Sequence, residues 1–126
     1  MRITGGTAKG HQLKVPNSKL VRPTTDRARE AVFSILASLA TSWSRGLDLF
    51  AGTGALGIEA LSRDVEWVDF VDQDHRCCAI IKQNLEKVGL AARAHVYGGP
   101  MILLLPLISP GPFSKGCFVH GWVCIQ

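Results

Sequence analysis

The stretch Leu47-Asp48-Leu49-Phe50-Ala51-Gly52-Thr53-Gly54-Ala55-Leu56-Gly57 constrains this chain more than any other. Gly46 to Phe50 reads as a short buried strand, and Leu56 to Leu61 reads as a helix. Between them the glycines are spaced G-x-G-x-x-G. Such a turn lets a ligand approach the backbone closely, and only residues without a Cβ allow that. On its own the pattern suits several adenosine-containing ligands, or a purely structural turn.

The alternation around the loop gives the fold class. Arg22-Pro23-Thr24-Thr25-Asp26 leads into a helix, with Thr24, Thr25 and Asp26 all competent N-caps. Ala28, Val32, Ile35, Leu36 and Leu39 recur at helical spacing and predict one apolar face running to about Ala40. Glu66 to Val71 is rich in β-preferring residues and predicts a second strand. Asp74 caps a third helix with Cys78, Ile81, Leu85 and Val88 inward, and Gly89 stands where a left-handed stop is expected. Arg93 to Tyr97 predicts a third strand. Strand–helix–strand–helix–strand implies α/β architecture with parallel strands and right-handed crossovers. Residues 1–22, with turn signals at Gly5-Gly6 and Lys9-Gly10, are expected to form a β-hairpin that leans on the rest of the chain.

Two carboxylates narrow the ligand. Asp72 ends the second strand, 20 positions after Gly52, where it can accept hydrogen bonds from both ribose hydroxyls of an adenosine. Asp48 stands inside the first strand. A dinucleotide sets its pyrophosphate at this turn, where a further carboxylate repels it. S-adenosylmethionine has no phosphate and carries a cationic ammonium and sulfonium end, which Asp48 can attract. The residues therefore favour a methyl donor over a nicotinamide or flavin cofactor. Asp48 as a helix-capping or loop-bonding carboxylate, and Phe50 as a core residue, are the plainer alternatives.

At 126 residues with 47% hydrophobic and 19% charged, the chain can build a small core and is not a disordered segment. The net charge of +4 permits an anionic partner without demanding one. Its distribution is more informative: no acid precedes Asp26, while Arg2, Lys9, Lys14, Lys19 and Arg22 do, with His11 among them. A basic non-helical arm suits a phosphate backbone. Cys77, Cys78, Cys117 and Cys124 have no zinc-site spacing, and the histidines have no catalytic partner in reach, so neither a metal nor a histidine-based site is expected. No apolar leader follows Met1, and the longest apolar run, Met101 to Leu105, is too short to span a bilayer. A soluble cytoplasmic monomer is the resulting expectation.

Several segments together resemble a known family. Arg2-Ile3-Thr4-Gly5-Gly6, Lys9-Gly10, Leu13-Lys14-Val15-Pro16, Arg22-Pro23-Thr24-Thr25-Asp26-Arg27, Arg29-Glu30 and Phe33 resemble the amino-terminal signature of bacterial 16S ribosomal RNA guanine-N2 methyltransferases. The likeness continues through the glycine loop, Leu56-Gly57-Ile58-Glu59-Ala60, Phe70-Val71-Asp72 and Asn84-Leu85, roughly to Tyr97. It implies a Rossmann-like class I methyltransferase fold with an N-terminal β-hairpin. It implies S-adenosylmethionine against Asp48, Phe50, Ala51, Gly52, Thr53, Gly54 and Gly57, with Asp72 on the ribose and Gln73 beside the adenine. It implies 16S ribosomal RNA, or the small ribosomal subunit, held by Arg2, Lys9, Lys14, Arg22 and Arg27.

The same resemblance exposes a departure. The family carries an Asp- or Asn-Pro-Pro-Tyr or Phe motif after its fourth strand, which holds the guanine amine. This chain has none, so no catalytic residue is assigned. Gly98-Gly99-Pro100 stands where an acidic residue is expected after the third strand. Residues 98–126 contain no Asp or Glu, one Lys and four of the six prolines, with no regular period. Three segments are therefore expected: an arm at 1–22, a donor-binding half-domain at 23–97, and an atypical tail at 98–126 that reads as a truncated or frame-shifted continuation.

Overall fold

The computed structural model describes residues 1–15, 25–39, 44–49 and 51–100, and the backbone of 118–120 and 123–125. The elements are α1 (Asp26–Leu39), β1 (Arg45–Leu49), α2 (Ala55–Ser62), β2 (Trp67–Asp72), α3 (His75–Val88), β3 (Ala94–Gly98), β4 (Phe118–His120) and β5 (Val123–Ile125). They form one sheet of order β3-β2-β1-β5-β4. β1, β2 and β3 run parallel, with Asp48 opposite Phe70 and Phe70 opposite Val96.

Local chemistry explains the helix ends. Thr25 Oγ1 accepts from Ala28 N–H at 3.1 Å and caps α1. The Asp74 side chain caps α3 by accepting from Arg76 N–H at 2.9 Å. Gly89, at φ 74°, ends α3 with its N–H on Glu86 O, while Leu90 N–H reaches back to Leu85 O. That pair of bonds is the Schellman stop that a left-handed glycine makes possible.

The core lies between the sheet and α2 and α3. Ile58, Leu61, Val68, Phe70 and Ile81 are fully buried there, and each such side chain contributes about 1.5–3 kcal/mol. A Cβ on Gly57 would come within 2.3 Å of Phe70 Cε1, so this glycine lets α2 pack onto β2.

Two expectations need correction. The apolar face of α1 is turned: Arg29, Phe33 and Leu36 are buried, whereas Ala28 is exposed, Ile35 is 58% exposed and Leu39 65%. The reason is Arg29, which is fully buried because its guanidinium is neutralised by Glu59 at 3.0 Å, a contact that hydropathy spacing does not register. The expected hairpin of the arm is present in short form, as an antiparallel bridge of Arg2 to Gln12 flanked by the bonds Ile3 N–H to His11 O and Leu13 N–H to Met1 O. Other backbone groups of the arm go to side chains of α2 and α3. Finally, the sequence of residues 98–126 predicts no regular structure, yet β4 and β5 pair antiparallel and β5 lies antiparallel along β1. The open side of β1 leaves unpaired amides and carbonyls that a returning strand satisfies. Lys19, Arg22, Phe50 and the Met101–Leu105 run lie outside the described residues.

The arm is strapped down by polar groups. Ile3, Ala8 and Leu13 enter the core at 5% exposure or less. Glu59 accepts from Thr4 N–H at 2.9 Å, Thr4 Oγ1 at 2.7 Å and Gly5 N–H at 3.1 Å. Ser62 accepts from Ala8 N–H and donates to Gly5 O. Gly6 sits at φ 78° with the Ser62 carbonyl so close that a Cβ would fall 1.8 Å from it. Asn84 closes the arm's far end on the backbone of Lys14.

Candidate donor loop and basic arm

The glycine loop joins β1 to α2 at the strand ends. Gly52 has φ 59° and Gly54 φ 78°, so both glycines of the turn are in the left-handed region. Gly54 N–H donates to Ala51 O at 2.8 Å. Helix α2 has no side-chain bond from its own N-cap residue, Gly54. Its first amides are met from elsewhere: Ala55 N–H donates to Thr53 Oγ1 at 3.2 Å, and Gly57 N–H donates to Asp48 Oδ2 at 3.0 Å.

Asp48 is thus a cap delivered from the neighbouring strand. It is 1% exposed, and its negative form suits the positive end of α2. Burial pushes its carboxyl well above the usual aspartate range; the Gly57 amide pulls it down and nearby Asp72 pushes it further up.

Asp72 is only partly buried and bridges two segments. Its Oδ2 accepts from Gly52 N–H at 2.9 Å, and its Oδ1 from Asp74 N–H at 2.8 Å. The carboxylate is therefore aimed across the mouth of the loop. A carboxylate offers about four acceptor positions, and these bonds use two of them. Ala51, Gly52 and Asp72 are partly accessible and Gln73 is exposed, while Asp48, Thr53, Gly54 and Gly57 are buried. The structure brings together Ala51, Gly52, Asp72 and Gln73 as an open rim, and sets Asp48 and Gly57 behind it.

Cys77 and Cys78 are free and buried just below. Burial, with the charges of Asp72 and Asp74, pushes the Cys77 thiol up to about 11, so it stays protonated and is a poor nucleophile. Of the arm's cations, Arg2, Lys9 and Lys14 are exposed, as is Arg27 on α1. The Lys14 ammonium donates to Gln83 Oε1 at 3.1 Å. A depression of about 320 Å³ between α3 and β3, lined by Lys82, Leu85, Glu86, Ala91, Ala94, His95 and Val96, contains none of the residues anticipated for the loop or the arm.

Sequence reasoning missed Arg29, Glu59 and Asn84. Glu59 and Asn84 did leave a signal, a charged or amide side chain set among the apolar positions of a helix, whereas Arg29 left none in the hydropathy spacing.

Comparison with known proteins gives the family. The family model described as conserved hypothetical protein 95 matches residues 1–105. The chain belongs to this family. The match runs past Tyr97 into the segment expected to lack resemblance. Among the relatives of this conserved hypothetical protein 95 member is ribosomal RNA small subunit methyltransferase D of Escherichia coli, 44% identical over 85 residues, which cover 68% of this chain and 42% of that protein. The Haemophilus influenzae protein of the same name is 42% identical over 86 residues, 68% of this chain and 44% of its own. The chain thus spans less than half the length of these two relatives. A solved structure of a hypothetical protein from a Thermus species superposes with TM-score 0.74 at 37% identity, covering 85% of this chain and 60% of that one. The fold of this family member is the Rossmann-like α/β fold of class I methyltransferases. No helix among the described residues is long and apolar enough to cross a membrane.

Proposed function

We propose that this chain carries the methyl-donor half, and the basic arm, of an S-adenosylmethionine-dependent ribosomal RNA methyltransferase. In the finer form of this reading the acceptor is the exocyclic N2 of a guanine in 16S ribosomal RNA, within the small ribosomal subunit. The single observation that carries it is the Asp72 carboxylate, fixed across the loop mouth by Gly52 and Asp74 N–H groups, in a chain whose relatives bear ribosomal RNA methyltransferase names.

The residues fit the donor. Asp72 keeps lone pairs for vicinal hydroxyls, Gly52 leaves the backbone open beside it, and Gln73 is exposed at the adenine side. Asp48 lies behind the loop, where a cationic end would draw its raised carboxyl back toward ionisation. Bound S-adenosylmethionine supplies an electrophilic methyl on sulfur. The chain's residues hold and orient it, and exclude water from its buried side. Arg2, Lys9, Lys14, Arg22 and Arg27 are the proposed contacts to RNA phosphates. In domain terms, 1–22 is the RNA arm, 23–97 the donor-binding half and 98–126 the tail. A monomer working in the cytoplasm is the form we assign.

One observation favours a second reading. The sequence has no Pro-Pro-aromatic motif to hold a flipped guanine, which suits a non-catalytic fragment that binds donor or RNA. Equilibrium dialysis with labelled S-adenosylmethionine, followed by transfer to small subunits lacking the modification, separates the two. Retention of donor that is lost in Asp72→Ala, together with transfer, supports the enzyme. Retention without transfer supports the fragment. No retention overturns the enzyme and the donor-binding fragment, and leaves only a fragment that binds RNA.

A further inference from the structure

Asn84 sits in the middle of α3, where an amide side chain has little reason to be, and it is 1% exposed. A buried carboxamide must find partners for its oxygen and its amine. Its Oδ1 accepts from Lys14 N–H at 2.7 Å, and its Nδ2 donates to Lys14 O at 3.0 Å. Lys14 is therefore paired with a side chain as it would be with a neighbouring strand. The same Nδ2 donates to Thr53 O at 3.0 Å. Thr53, 3% exposed, is the residue between the positive-φ glycines of the loop. One side chain thus holds the end of the arm and the centre of the loop.

The two things it holds face different ligands. Lys14, Lys9, His11 and Arg2 are exposed on the arm, and a polyanion drawn to Lys14 acts on the residue whose backbone Asn84 grips. A ligand that fixes the loop fixes the Thr53 carbonyl, and through it the same carboxamide. We infer that Asn84 is a positioning residue that couples the two sites, so that RNA on the arm tightens the methyl donor in the loop, and the donor tightens RNA by the same factor. The ordering of shared groups is the source: whichever ligand binds first has already fixed them for the second. This inference rests on the reading proposed above.

The test is a binding cycle on the full chain. The affinity for S-adenosylmethionine is measured with and without a saturating RNA hairpin, in the wild type, in Asn84→Asp and in Asn84→Ala. Hydrogen exchange at the Gly54 amide is followed with and without the hairpin alone. RNA is expected to tighten the donor about fivefold or more in the wild type, and to slow Gly54 exchange. In the variants the ratio falls to about one, because the Nδ2 donors to Lys14 and Thr53 are gone. A role confined to stability lowers both affinities and leaves their ratio as in the wild type, which overturns the inference. A wild-type ratio of one overturns it as well. If the wild type binds RNA but no donor, the proposed function fails and the coupling, which rests on it, falls with it, whereas binding of both with a ratio of one overturns the coupling alone. If it binds no RNA, the coupling falls together with the arm's assigned role.

Discussion

Burial pushes the Asp48 carboxyl upward, and Gly57 and Asp72 act on it in opposite senses. A group that holds its proton more tightly when folded makes the fold less stable as pH rises from its unfolded value toward its folded one. Asp48→Asn, which keeps the acceptor for Gly57 N–H, is therefore expected to raise the melting temperature at neutral pH. The gain should vanish below the ordinary aspartate range, where both states are protonated. If the charge also holds the donor, the same variant binds S-adenosylmethionine about tenfold more weakly, or about 1.4 kcal/mol. Unchanged affinity in calorimetry would leave Asp48 as a cap alone. At Gly57 the constraint is steric. Gly57→Ala brings a methyl within 2.6 Å of Phe70 Cζ, and should cost about 1–3 kcal/mol in urea unfolding. In the sequence Gly57 reads as part of a ligand motif; only the packing of α2 on β2 reveals its other use. The places of Asp72 at a strand end and Gly52 in a turn were legible because both features are local, whereas the hydrogen bond between them was not.

The elements from β1 to β3 were legible for a similar reason: periodicity, caps and a left-handed stop are local, and their bounds moved by a residue or so. The orientation of α1 was not, because Arg29 counts as a surface residue until a partner 30 positions away is known. That partner has its own pH signature. Burial alone would raise the Glu59 carboxyl, but bonds from Thr4, Arg29 and Arg63 outweigh it and hold it below the usual glutamate range. Its contribution is present above the unfolded value and is lost as pH falls through the folded one. Arg29→Met is expected to cost about 3–5 kcal/mol, because Glu59 loses a buried partner. It should also move the midpoint of acid unfolding to higher pH, as followed by circular dichroism. A midpoint that stays put would mean that Arg63 and Thr4 suffice for Glu59.

At the scale of the whole molecule, the arm, the loop and the sheet are one connected object. The arm is not a loose basic tail: it is bonded to α2 through Glu59 and Ser62 and to α3 through Asn84. None of this could be read along the chain, since the bonds join residues more than 50 positions apart. The tail resists reading for the converse reason: strands of three residues leave too little alternation to detect, and their pairing with β1 is a long-range choice. Deleting residues 118–126 should bare the side of β1 that β5 covers. A lower melting temperature and a rise in light scattering are expected, as for any unprotected edge. A deletion variant that melts and scatters like the parent would show that this pairing adds nothing.

The antiparallel seat of β5 has a consequence for any strand offered to the sheet from outside. A second copy or an added peptide that seeks the same side of β1 meets a berth already taken. The occupant is tethered, so it competes at an effective concentration on the order of millimolar, far above what a dissolved peptide reaches. β5 thus acts as a cork, and an outside strand reaches that side of β1 only once it is drawn.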